Sequence, residues 1–512
     1  MIQDLNSKRI AKNTLLLYFR MLIIMVVSLY TSRLVLKTLG VVDFGIYNVV
    51  GGIVMLFSFV NSAMAASTQR FLSFEMGKGD TEGLARVFST GINIHVMFAL
   101  VILFFAETVG LWFLNTQMVI PAARMATANW VYQFSILSIM TTVMTVPFNA
   151  SIIARERMNA FAYISILEAL LKLAVVFLLV YTGIDKLRLY AMLMFTVTLT
   201  VQAVYVWYCR SHFSESHYRF DPDKNLFREM LGFAGWNFFG AASGMAMNQG
   251  VNILLNLFFG PVVNAARAVA FQVQGAVNGF VFNFMTAVNP QIVKSYSSGE
   301  RKYMLQLIFS ASKFSFFLLY LITLPVLMET GLILKWWLGN VPADAEIFTR
   351  LSIIFMLTIA LTYSINMASQ ATGNIKVFQI VEGSVLLLNL PVSYVLLRLG
   401  FPATSAFWVM IILSIAALFA RLAVLRSILD FPVKDFILKV IVRVVVAALF
   451  SLAPVYLLFT RLQSLPEVLR FLIILGASCV AVVVSFWIFG LNAGERGMVK
   501  DKATEIVRKL KK

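Results

Sequence analysis

The sequence predicts an all-α integral membrane protein with about 14 transmembrane helices: two pseudo-symmetric six-helix lobes in a parallel repeat, plus two C-terminal helices. Three observations predict it. Of 512 residues, 60% are hydrophobic and 13% charged, with a mean hydropathy of +0.85. Soluble domains carry about 25% charged residues, and so sparse a set cannot cover a water-facing surface. Apolar runs of about 18 residues or more, enough to cross a hydrocarbon core, recur along the whole chain. The chain also aligns with itself at a nearly constant offset of about 220 residues.

The first apolar run follows Lys8, Arg9 and Lys12. It has the charge order of a secretory signal, but it runs on too long and lacks a small-residue cleavage pattern, so it is read as a retained helix over 14–36. Gly, Pro and charge clusters punctuate the runs that follow, over 44–67, 87–113, 124–147, 160–182 and 188–209. After the longest polar segment, Arg210 to Arg228, come 229–258, 265–289, 304–328, 349–370, 377–398 and 403–425. The last two lie at 436–459 and 468–490, ahead of a basic tail ending Arg508-Lys509-Leu510-Lys511-Lys512. The expected domains are 1–210 (six helices), 211–430 (six helices), 431–490 (two helices) and a cytoplasmic basic tail over 491–512.

Lys and Arg crowd the loops on the side of the N-terminus and thin out on the other, which predicts that both termini are cytoplasmic. That topology also accounts for most of the net charge of +18. The basic residues are scattered over loops rather than gathered into one face, so no nucleic acid is expected as a partner.

The repeat sets Leu34–Asp80 over Leu254–Glu300 without a gap: Gly40 meets Gly260, Val42 meets Val262, Val49 meets Val269 and Gly79 meets Gly299. Glu107-Thr108 ahead of Trp112-Phe113-Leu114-Asn115 then matches Glu329-Thr330 ahead of Trp336-Trp337-Leu338-Gly339-Asn340. Asn149, Ala154 and Phe161 match Asn366, Ala371 and Phe378. An offset of six helices keeps both halves in one orientation, the parallel repeat of some secondary transporters.

Polar groups at bilayer depth are costly and mark cavities or packed interfaces. The first helix holds Arg20, with Arg33 and Lys37 towards its outer end; snorkelling to either interface is the plain alternative. Asn48 and Asn61 lie on the second. Asn248, Asn252 and Asn256 form an i, i+4, i+8 stripe on the seventh, and Arg267, Gln274 and Asn278 share one face of the eighth. Single carboxamides are explained by interhelical hydrogen bonds; two stripes with an arginine point to a shared aqueous cavity. Glu168 and Lys172, one turn apart, are expected to pair, with a role in ion coupling as the alternative. Glu382 and His95 stand alone in their helices as candidates for proton handling, or as satisfied structural residues.

The sequence carries no P-loop or HExxH motif, and no long extracytoplasmic loop with paired carboxylates, which argues against a polymerase or ligase working by acid–base chemistry. Cys209 and Cys479 suggest neither a disulfide framework nor a metal site, and His212 and His217 read as solvated. No catalytic residue, cofactor or metal is expected.

Arg33-Leu34-Val35-Leu36, followed by Leu39-Gly40 and Asp43-Phe44-Gly45-Ile46-Tyr47, resembles the opening of the Wzx-type O-antigen and capsule flippases. These belong to the multidrug/oligosaccharidyl-lipid/polysaccharide (MOP) exporter superfamily. Helix number, the six-plus-six repeat, the two extra helices and the short Ala154-Arg155-Glu156-Arg157 and Gly373-Asn374-Ile375-Lys376 loops fit the same resemblance. It implies a MATE-like fold in the bacterial inner membrane. The implied activity is flipping of an undecaprenyl-pyrophosphate-linked oligosaccharide from inner to outer leaflet by alternating access, for O-antigen, capsule or exopolysaccharide biosynthesis. Arg20, Arg33 and Arg267 would meet the pyrophosphate, and Asn48 with the Asn/Gln stripes would meet the sugars. The thirteenth and fourteenth helices would line a groove for the lipid. Gly40 and Gly45 would be turn and packing residues, and Asp43 would pair with Arg33 or Lys37 at an outer gate. Membrane lipid, coupling H+ or Na+ and the polysaccharide polymerase machinery are the implied partners. A multidrug or cation antiporter of the same superfamily is the alternative; it would want carboxylates in its cavity, where arginines and amides stand instead.

Overall fold

A computed structural model describes residues 2–497, apart from 56–57, 117, 119, 181–182, 184, 220–222, 260 and 340. Side chains are described except at 2–9, 11, 29, 32–33, 36, 41–42, 44–45, 48–49, 51–63, 256, 261–262 and 265. The tail from Met498, with Arg508 to Lys512, therefore lies outside the described residues, as do the side chains of Arg33, Asn48, Asn61 and Asn256.

Among the described residues every regular element is a helix. In chain order these are α1 (Ile2–Met55), α2 (Ser58–Lys78), α3 (Thr81–Thr116), α4 (Ala122–Ala154), α5 (Met158–Val180), α6 (Lys186–His212), α7 (Lys224–Phe259), α8 (Pro261–Ser297) and α9 (Arg301–Met328). There follow α10 (Thr330–Leu338), α11 (Ala345–Thr372), α12 (Lys376–Arg398), α13 (Thr404–Leu429), α14 (Val433–Arg461) and α15 (Glu467–Gly490). Ten of them, α3–α6, α9 and α11–α15, are long and apolar enough to cross a membrane. The four other expected spans fall in α1, across α1 and α2, in α7 and in α8, so the predicted class holds: the chain is a multi-pass, all-helical membrane protein. Side chains such as Leu257, 71% exposed, would be a liability in water and suit a lipid-facing surface.

The helices overrun the apolar runs. α1 begins at Ile2 rather than near residue 14, and α7 at Lys224 rather than 229, because backbone hydrogen bonding continues where hydropathy has already fallen. The short α10 was not anticipated; at nine residues it is too short to leave a span-length run.

Local chemistry sets the breaks. Gly40 interrupts α1 with φ 78° and ψ 169°, backbone open only to glycine. α3 carries a π-helical turn over Ala106–Gly110, where the Tyr132 hydroxyl donates to the Ala106 carbonyl at 2.8 Å. Several helices end in Schellman turns. After α2, Gly79 takes φ 75° and Asp80 N–H bonds the Glu75 carbonyl at 3.2 Å. After α8, Gly299 takes φ 77°, so the repeat-related glycines share one conformation.

The chain divides into two compact units. The first comprises 1–242, 286–301 and 373–379; the second comprises 243–285, 302–372 and 380–512. In the first, α4 packs most extensively on α6 and α1 on α5. Its core is built from Leu72, Phe88, Ile152, Val176, Leu179 and Cys209, with a smaller cluster around Val50, Tyr132 and Ile136. In the second, α11 packs on α13 and α14 on α15, with Phe348 stacked on Phe407 and Phe431 against Phe436.

Candidate functional site

The site develops from the polar faces of α7 and α8 in the second unit. Asn248 and Asn252, one turn apart on α7, both engage α8. Arg267 Nη2 donates to the Asn248 carbonyl at 2.8 Å, and Asn264 Nδ2 donates to the Asn252 carbonyl and Oδ1 at 3.0 and 3.1 Å. The Arg267 guanidinium also sits 5.8 Å from the Phe271 ring centroid. The residue is 8% exposed, and among the described residues no carboxylate pairs with it. The carboxamide oxygens of Asn248 and Asn264 are buried beside it without a donor. A buried cation flanked by amides is a set that accepts an anion with hydrogen-bonding neighbours.

The other members of the predicted stripe part from Arg267. Asn278 accepts from the Tyr363 hydroxyl of α11 at 2.7 Å, and Gln274 is half-buried. Glu382 of α12, alone in its own helix, is paired from the next one: Arg421 of α13 donates to it at 2.5 Å, both side chains being nearly buried. Its partner lies on the next helix, where no periodicity within α12 reveals it. On α7 and α12 an apolar groove of about 350 Å³ is lined by Gly250, Ile253, Leu254, Leu390, Pro391 and Tyr394.

In the first unit, Arg20 is half-buried with its guanidinium 4.4 Å from the Phe161 ring centroid, and its Nε is buried without an acceptor. Glu168 and Lys172 on α5 do pair, at 2.6 Å. His95 is fully buried, with Nδ1 2.7 Å from the Gly91 carbonyl.

Asp43 requires a correction to the sequence expectation. Its partner is Arg124 at the start of α4, not Lys37, which is exposed. Arg124 also bonds Asp185, whose carboxylate caps α6 through the Leu187 and Arg188 amides and accepts from Thr127. This four-residue node was missed because Arg124 and Asp185 sit at helix edges, where lone charges carry no pattern. The nearest sequence signal was Asp185 ahead of a helix, an ordinary N-cap.

No protein-family profile matches the chain, and no curated protein is similar to it. Solved structures are. An outward-facing MATE family multidrug resistance transporter of the MOP superfamily has a TM-score of 0.72 at 12% identity, covering 84% of this chain and 96% of that one. The fold is that of these transporters. The MATE transporter ClbM, solved with Rb+, gives 0.68 at 15% identity, with coverages of 81% and 95%. A MOP superfamily transporter from Pyrococcus furiosus gives 0.67 at 13%, with coverages of 84% and 96%. At these identities the likeness establishes the MATE-like architecture and leaves the cargo to be argued from the residues.

Proposed function

We propose that the chain is a MOP-type secondary transporter that carries an anionic, lipid-linked oligosaccharide across the bacterial inner membrane by alternating access. The pyrophosphate-linked polyprenyl sugar of the sequence resemblance is the substrate that fits. One observation carries the proposal: Arg267 is buried beside Asn248 and, among the described residues, has no carboxylate partner, so its charge awaits an anion. Several other buried or half-buried charges are neutralised within the chain, as in Glu168–Lys172, Glu382–Arg421 and Lys313–Glu495. Arg20 is a second cation with no described carboxylate in contact, Glu168 acting on it only at longer range, and Asn248, Asn252 and Asn264 supply groups for sugar hydroxyls. The Glu168–Lys172 and Glu382–Arg421 pairs are the places where a coupling H+ or Na+ would exchange for a cation of the chain.

The fold supports a multidrug antiporter equally well, since a multidrug resistance transporter is among its neighbours. What favours an anionic cargo is the sign of the unpaired charge. The Pyrococcus furiosus neighbour is itself described as having a binding pocket of reversed polarity that suggests a different function.

Reconstituted protein should move a fluorescent polyprenyl-pyrophosphate oligosaccharide between leaflets. Arg267→Ala should slow this by about a hundredfold, the loss of a charge-assisted contact of about 3 kcal/mol. Arg267→Lys should recover part of the rate, because a point charge replaces the bidentate fork. A wild-type rate in Arg267→Ala would overturn the anionic site, and export of a lipophilic cation with no movement of the lipid-linked sugar would establish the antiporter instead.

A further inference from the structure

The repeat and the packing of the first unit bear together on one end of that unit. Under the alignment of Leu34–Asp80 with Leu254–Glu300, Gly77 corresponds to Ser297. These equivalent positions touch. A Cβ on Gly77 would lie 1.7 Å from Ser297 Oγ, 2.6 Å from the Lys294 carbonyl oxygen and 2.9 Å from Lys294 Cα. Residues equivalent under a two-fold operation meet each other only at its axis. The ends of α2 and α8 therefore cross backbone against backbone on the repeat axis, with no room for a side chain. Phe74 and Tyr296 pack beside the crossing, their ring centroids 6.4 Å apart.

The loop after α4 shows a second asymmetry. Its Schellman turn places Glu156 at φ 58°, where Gly79, Gly299, Gly373 and Gly400 take φ between 75° and 86°. The repeat pairs Ala154 with Ala371, and so Glu156 with Gly373. A side chain in the left-handed region is strained and persists where its surroundings hold it. Here they do: the Glu156 carboxylate, fully buried, accepts from Lys294 Nζ at 2.6 Å and Gln291 Nε2 at 2.7 Å, while its carbonyl accepts from Asn13 of α1 at 3.3 Å. On the related flank Gly373 stands against Arg70 of α2, whose Nη2 would lie 2.6 Å from an added Cβ. Each repeat's second helix thus meets the other repeat's loop, but the Glu156 flank alone replaces the turn glycine with a carboxylate.

We propose that the Gly77–Ser297 crossing is a closed gate on the repeat axis, and that Glu156 bound to Lys294 and Gln291 is its latch. The charge bias makes this the cytoplasmic end. Opening must carry the end of α8 away from α2, and the same movement breaks the contacts of Lys294 and Gln291 with a buried carboxylate, at a cost. The latch is thus made or broken as a whole, a bistable element rather than a graded one. The proposal rests on the transport reading but not on the cargo.

The test needs no substrate. In a chain carrying Cys209→Ala and Cys479→Ala, Ser297→Cys is labelled with a membrane-impermeant maleimide in right-side-out and in inverted vesicles. Labelling should be slow from both faces. Adding Glu156→Gly relieves the turn while deleting the carboxylate, so the protein should insert normally and label about tenfold faster from the cytoplasmic face alone. The exchange Glu156→Lys with Lys294→Glu should restore slow labelling. Fast labelling in the parent, or no acceleration by Glu156→Gly at unchanged membrane abundance, would overturn the gate. Because cargo plays no part, failure of the oligosaccharide reading leaves a positive result standing.

Discussion

At the residue scale, Arg124 shows how a charge near a membrane boundary is stabilised from several elements. It bonds Asp43 of α1 and Asp185 ahead of α6, at 2.9 Å to the latter. Desolvation opposes ionisation of Asp185, but donation from Arg124, the Arg188 amide and Thr127 prevails and holds its carboxyl below the usual carboxylate range. The sign follows from linkage. A depressed folded-state value contributes stability that is fully present above the ordinary carboxylate pKa, about 3.9, and is lost as pH falls through the depressed one. Thermal unfolding in detergent should therefore show the wild type losing more of its Tm than Asp185→Asn as pH is lowered from 6 towards 3, by an amount equivalent to about 1 kcal/mol. Parallel acid profiles would mean that the pair contributes nothing to folding.

At the element scale, the turn in α3 depends on one side chain fitting one gap. Tyr132 is fully buried, its hydroxyl bonds the Ala106 carbonyl, and a Cβ on Gly110 would lie 2.1 Å from that hydroxyl. Gly110→Ala should therefore cost about 1–3 kcal/mol through overpacking and the displaced hydrogen bond. Adding Tyr132→Phe should return part of the loss, because the next ring atom is 3.3 Å away. Additive losses in a double-mutant cycle would sink this account. The helices themselves were legible, since a span needs only a long apolar run; the turns at Gly79 and Gly299 were not, those glycines standing in the sequence only as matched positions of the repeat. The i, i+4 pair Glu168–Lys172 was legible too, but the ion pairs between helices were not. Glu382 and Arg421 are 39 residues apart and Lys313 and Glu495 are 182 apart, so no helical period links them. Asp43 was assigned to neighbours in sequence, while its described partner, Arg124, comes from a different helix. Of the site, the Asn248 and Asn252 stripe and Arg267 are visible because they repeat along single helices; Asn264, three residues before Arg267 and on the same face, extends that stripe towards the start of α8.

At the scale of the whole molecule, the net charge of +18 is best explained by topology. Positively charged loops resist translocation, so the expected topology puts the side richer in Lys and Arg in the cytoplasm. The loops after α2, α4, α6, α8, α11 and α13 share that side if the ten described spans and the four segments in α1, α2, α7 and α8 all cross. The gate at Gly77–Ser297 and the Asp43–Arg124–Asp185 node then face opposite compartments, because one follows α2 and α8 while the other precedes α4 and α6. Reporter fusions decide the matter. A cytoplasm-active reporter fused after Lys78, Arg155 or Ser298 should be active, and one fused after Gly183 or Gly400 silent, with the reverse for a periplasm-active enzyme. Removing the positive charges of one cytoplasmic loop should weaken that pattern locally without inverting the chain, since the bias is spread over many loops. Activity of the cytoplasmic reporter at Gly183 would break the even alternation, and with it the parallel repeat and the axis on which the gate argument depends.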